Sequence, residues 1–172
     1  IRAASQRYRQ QASPEQQAKL KGWYENPVPQ LPLYAARVYC QKQSLDWDEG
    51  MRKAYIPWVA LALLVVMVVL VALSIALNWP AQEFFAGPVL IALPVFAVGA
   101  KHIYDHYKAL QRLAKLQSLA DDLLEYTSQA SADPVSATQR SRQLQDGIYH
   151  HRVECQTIYN WFYERFRKKQ QI

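Results

Sequence analysis

Two pairs of residues have a spacing that could hold a ligand. His102 and His106, in "HIYDH", lie one helical turn apart, and His151 and Cys155 repeat that spacing beside His150. Imidazole and thiolate at i and i+4 on one helix face suit a transition metal, zinc above all. A hydrolytic zinc site would also need a glutamate inside the histidine pair to act as base, and "HIYDH" has none. The plainer reading is that these histidines cap hydrogen bonds or meet lipid headgroups, so no metal and no cofactor is expected. Cys40 as a nucleophile would need a base and an orienting group, and no local signature supplies them. Five glycines leave little material for a phosphate-cradling loop. The sequence points to no enzyme.

The elements that must position these residues are set by a sharp partition of charge. Mean hydropathy is −0.23, yet residues 54–82 and 84–100 carry no charge at all. Val59 to Leu73 reads "VALALLVVMVVLVAL", fifteen residues without a polar side chain. Extended from Tyr55 to Leu77, the run passes the roughly 20 apolar residues that cross a ~30 Å hydrocarbon layer. The second run, "FFAGPVLIALPVFAVGA", rises about 26 Å as a helix and spans if Lys101 snorkels. Pro88 and Pro94 are tolerated in membrane helices. A helix that is apolar all round is buried or lies in lipid, and runs this long favour lipid.

The flanks supply the rest. Residues 1–24 are polar, Gln-rich and basic, with Ser13-Pro14-Glu15 as a helix start. "ENPVPQLP", Glu25 to Pro32, must be extended or turned. A helix is expected from Leu33 to Arg52, with a break near Ser44 to Asp46. After the second run, apolar residues at 103, 107, 110, 113, 116, 120, 123 and 124 mark one stripe of a long helix from Lys101 to about Tyr126. "SQASADP", Ser128 to Pro134, breaks it. A further helix then leads into the aromatic and basic "NWFYERFRKK". Cys40 and Cys155 lie outside both apolar runs and are expected as free thiols.

Orientation follows from charge. Arg52 and Lys53 precede the first run; Lys101, Lys108, Arg112 and Lys115 follow the second; only Glu83 lies between. Cations stay in the cytosol, which places both ends of the hairpin there and Trp79, Phe84 and Phe85 at the far interface. The net charge of +6, concentrated beside the spans and in "RFRKK", fits anionic lipid better than nucleic acid. The expected fold is an all-α membrane protein: a transmembrane helical hairpin with cytosolic helices before and after it. Its segments are 1–54 (cytosolic), 55–78 (span), 79–83 (outer tip), 84–100 (span), 101–127 (cytosolic helix) and 128–172 (cytosolic helical tail).

Two separated stretches carry a resemblance. "WYENPVPQLPLYAARVYCQKQSLDWDEGMRKAY" and "LQDGIYHHRVECQTIYNWFYERFR" are similar to motifs of the SMODS-associated four-transmembrane effector family of bacterial anti-phage operons. The likeness runs from about Trp23 to Arg167, with the apolar runs in the expected place. The matched positions are Trp23, Tyr24, Arg37, Cys40, Gln41, Trp47, Asp48, Arg52 and Tyr55, then Gln145, Asp146, Tyr149, Arg152, Trp161, Phe162 and Tyr163. Asn160 stands where the family motif has Asp, and "ECQTIY" lacks its prolines. A first hairpin, absent here, is expected upstream of Ile1.

The resemblance implies an effector that oligomerises and perforates or disrupts the bacterial inner membrane. Its implied partners are the bilayer, further copies of itself, and a cyclic-nucleotide signal or an operon partner protein. The alternative is a membrane-anchored scaffold or sensor that recruits a partner through its cytosolic helices. By chemistry, Trp47, Tyr55, Trp161 and Tyr163 suit an interface belt or a small aromatic core beneath the membrane. Arg37, Arg52 and Arg152 have Asp48 and Asp146 as candidate partners.

Overall fold

The computed structural model describes residues 30–129 and 131–170, and the side chains to residue 167. The expectations for residues 1–29 therefore lie outside the described residues. Four helices account for nearly all of it: α1, Leu33–Ala76; α2, Ala81–Ser128; α3, Pro134–Glu154; and α4, Asn160–Gln170. No strand occurs among the described residues.

α1 runs through Ser44–Asp46 without the expected break. Leu45 in the middle of that stretch is 1 % exposed and belongs to the core, and this packing outweighs the weak helix preference of Ser and Asp. α1 ends in a Schellman motif. Asn78 takes the left-handed conformation at φ 52°; its N–H donates to the Ile75 carbonyl at 3.1 Å, and that of Trp79 to the Ser74 carbonyl at 3.1 Å. Pro80 then prevents α1 from resuming. Residues 81–83, expected in the turn, already form the start of α2. The helix widens into a π turn over Phe85–Val89. Pro88 sits inside that turn, where a widened ladder accommodates its ring and its missing donor.

α1 and α2 run antiparallel in a steady register. Lys42 meets Asp121 at 2.8 Å, Gln117 donates to Asp46 at 2.8 Å, Tyr55 stacks edge-on against His102, and a Cβ on Gly99 would touch Leu63. At the end where α1 begins and α2 finishes, α3 completes a three-helix core of Val38, Leu45, Leu113, Ala120, Leu123, Leu144 and Ile148. The stripe expected on α2 supplies much of it. Tyr107, expected in that stripe, is instead exposed. Asp133 caps α3, accepting from the N–H groups of Val135 and Ser136, with Pro134 in the first turn.

The other end is different in kind. In the most apolar 18-residue stretch of each long helix, no residue is buried inside the chain. Leu64, Val68, Ile75 and Ile91 all face outward. A soluble core helix hides such a surface, so these helices are membrane-spanning.

Candidate functional site

Where the apolar halves of α1 and α2 give way to the three-helix core, a polar hub fills the join. α1 contributes Asp48, Arg52 and Tyr55 from one face; α2 contributes His102 and His106. The end of α3 and the irregular segment after it bring His151, Cys155 and Gln156. Arg52 is 5 % exposed and His106 fully buried. The guanidinium donates to Asp48 at 3.1 Å, to His106 Nδ1 at 3.0 Å and to the Gln156 carbonyl at 3.2 Å.

Arginine can only donate, and this fixes the proton order. His106 Nδ1 must accept, so Nε2 carries the hydrogen and donates to His102 Nε2 at 3.2 Å. His102 Nδ1 then donates to Gln156 Oε1 at 3.1 Å, while the Tyr55 hydroxyl lies 3.2 Å from His102 Nε2. Burial, reinforced by the charge on Arg52 and by His102, pushes His106 down to about 4, so its ring is neutral at pH 7. Burial alone would raise Asp48, but the His151 hydrogen bond and the Arg52 charge outweigh it and hold the carboxyl below its ordinary value.

Cys155, His151 and Asp48 outwardly resemble a nucleophile, base and orienting acid. The sulfur lies 3.4 Å from His151 Nδ1 and 3.6 Å from Nε2 at once. It therefore rests against the ring rather than along a lone pair. His151 Nε2 is turned to Asp48 at 3.0 Å, and burial raises the thiol. The arrangement holds a neutral thiol, not an activated one. No group of three or more metal-ligating side chains occurs among the described residues, and His102 and His106 are tied to Arg52, Tyr55 and Gln156 instead.

An aromatic layer seals the hub. Phe162 on α4 is 3 % exposed and sits 5.0 Å from the Tyr55 ring; Trp47 meets Phe166 at 5.4 Å and Tyr163 at 6.4 Å. Trp161, expected in an interface belt or a small aromatic core, is 58 % exposed and does not join the core. α4 presents the next residue, Phe162, to the core, because a step of one residue turns the side chain by about 100°.

A second feature is a groove of about 730 Å³ between the first half of α1 and α3. Gln41 Nε2 bridges its floor, donating to the Ser141 carbonyl at 2.9 Å and to Gln145 Oε1 at 3.0 Å. Arg152 donates to Ser44 Oγ at 2.6 Å across it.

The motif positions divide between these places. Arg37, Cys40, Gln41, Gln145 and Arg152 line the groove. Trp47, Asp48, Arg52, Tyr55, Phe162 and Tyr163 belong to the hub and its aromatic layer. Asp146, Tyr149 and Trp161 are exposed, and Trp23 and Tyr24 lie outside the described residues. Of the candidate pairs only Arg52–Asp48 forms; Arg152 takes Ser44 in place of Asp146. Sequence reasoning did not connect the histidines to Arg52. Their one-turn spacing was visible, but the partner is 54 residues away.

A family model described as "SMODS-associating 4TM effector domain" matches residues 1–172, the whole chain. No curated protein and no solved structure matches.

Proposed function

The chain belongs to the SMODS-associating 4TM effector domain family, and from that membership we propose that it assembles with further copies to perforate the bacterial inner membrane. The family makes it a membrane effector associated with SMODS signalling. The observation that carries the finer reading is the uncovered apolar half of α1 and α2, where no residue of either window is buried. Lipid or sister helices must cover that surface. Neither span holds a charged residue, so an aqueous path would be lined by weakly polar atoms such as the Ser74 hydroxyl, or by additional helices. A Cβ added at Gly87, in the π turn, would meet nothing within 4 Å, which leaves bare backbone for a neighbouring helix to approach.

The cations beside the hub support a cytosolic position for both ends of the hairpin, with the Schellman turn at the outer face. A dye-release assay with the full chain in liposomes of bacterial lipid composition tests the reading. Release should rise more steeply than in proportion to protein density. Val66→Arg should fail to insert and to release dye, because a cation at mid-bilayer costs about 3 kcal/mol. Inserted wild-type protein that releases nothing at any density would instead favour the anchored scaffold or sensor.

A further inference from the structure

We propose that the groove between α1 and α3 binds a soluble, phosphate-bearing anion. Its volume of about 730 Å³ falls within the range of about 300–1,000 Å³ typical of small-molecule sites. Arg37, Arg142 and Arg152 line it, and no acidic side chain does so among the described residues. Among the other described arginines, Arg52 pairs with Asp48 and Arg112 with Glu154, while Arg140 and Arg165 lie over the rings of Tyr126 and Trp58. Arg37 and Arg142 have no ion pair among the described residues, and Arg152 has only the Ser44 hydroxyl. Three planar forks around one concavity match the oxygens of a phosphate, which arginine holds through paired N–H donors. The Gln41–Ser141–Gln145 bridge fixes the floor before any ligand arrives. Ala36 and Ile148, both nearly buried, give the ligand's less polar body a surface to rest on.

Location selects a soluble source. Ser44, the lining residue nearest the apolar half of α1, is about 16 Å along the helix from Tyr55, at 1.5 Å per residue. That exceeds the Debye length of about 8–10 Å, so headgroup charge is screened at the groove. The chain's own residues 1–29 are poor occupants, since they carry five cations (Arg2, Arg7, Arg9, Lys19, Lys21) against two acids (Glu15, Glu25). The site does not depend on pore formation, and its test reads the groove directly.

Cys40 lines the groove and Cys155 lies in the hub, so one protein carries both a reporter and a control. The full chain in lipid nanodiscs is alkylated with iodoacetamide, and each cysteine is followed by mass spectrometry. Pyrophosphate and adenosine monophosphate serve as probes, against sodium chloride of equal ionic strength. We expect either probe to slow Cys40 several-fold and leave Cys155 unchanged. In Arg37→Glu/Arg142→Glu, protection should require at least about tenfold more probe; Arg37→Gln/Arg142→Gln replaces it if the charge reversal unfolds the chain. Equal slowing by chloride, parallel slowing of Cys155, or unchanged protection in the variant overturns the proposal. Protection by anionic lipid in the nanodisc without any probe overturns the soluble source.

Discussion

Arg52 keeps its charge inside the protein because three acceptors converge on it: the Asp48 carboxylate, the His106 imidazole and the Gln156 carbonyl. A buried ion pair contributes little net stability, but removing one partner leaves an uncompensated charge. The hub is thus a place where single substitutions are costly and where pH acts. His106 titrates near its ordinary 6.5 when unfolded and near 4 when folded. The unfolded chain therefore binds more protons between those values, and stability falls as pH drops from about 6.5 towards 4. The loss approaches about 3 kcal/mol from this group alone. Thermal unfolding measured from pH 7 to pH 4.5 should show the decline, and His106→Gln should flatten it. A profile as steep in His106→Gln as in the wild type would place the titration elsewhere. At the same scale, Phe162→Ala removes a ring that is 3 % exposed and should cost about 3–5 kcal/mol. Trp161→Ala, at a site 58 % exposed, should cost under about 1 kcal/mol. Chemical denaturation of the two variants compares them directly. The sequence "NWFYERFR" announces an aromatic face but not its rotation, since Trp161 and Phe162 are both plausible anchors until α4 is docked.

At the scale of elements, local signals were legible where local chemistry decides. The chain breaks between α2 and α3 and turns between α1 and α2 where Pro, Asn, Ser and Asp cluster, but the bounds shift: Asp133 and Pro134, expected in the break, start α3, and Asn78, expected in the first span, begins the turn. The continuous run of α1 was not legible, because it is decided by distant residues. Ser44 accepts a hydrogen bond from Arg152, 108 positions on, and Leu45 is buried under α2 and α3. Nor was the groove, whose walls come from helices 100 residues apart. The two spans approach closely at Gly99, where an added side chain would meet Leu63. A Cβ on Gly99 would lie 2.6 Å from Leu63 Cδ2 and 3.1 Å from its Cγ, so the Leu63 side chain or the helices would have to shift. Gly99→Ala should therefore push α1 and α2 apart at a cost of about 1–3 kcal/mol. Leu63→Ala in the same chain should recover most of that loss. Thermal unfolding in detergent of both single variants and the double variant measures the coupling. An unaltered Gly99→Ala would mean that Leu63 swings freely into lipid and that the spans are not tightly packed.

For the whole molecule, the antiparallel register has a topological consequence. Arg52 touches His106 and Tyr55 touches His102, so the polar flanks of both spans meet at one end of the apolar pair. That end carries Arg52, Lys53, Lys101 and Lys108, whereas the opposite turn carries only Glu83. Burying either end in hydrocarbon is prohibitive, and the two ends cannot lie on the same face of the bilayer while both helices cross it. Charge then selects which end stays inside. We expect a cysteine at Ala81 to react with a membrane-impermeant maleimide applied outside intact cells, and one at Ala114 to react only after the membrane is opened. Both positions are exposed in the protein, so a failure to label reports the membrane and not burial. Cys40 and Cys155 are replaced by serine in this chain, and expression is kept below the level that causes leakage. Labelling of both positions from outside, or of neither, would mean that the apolar halves of α1 and α2 do not form a hairpin crossing the membrane from the cytosol.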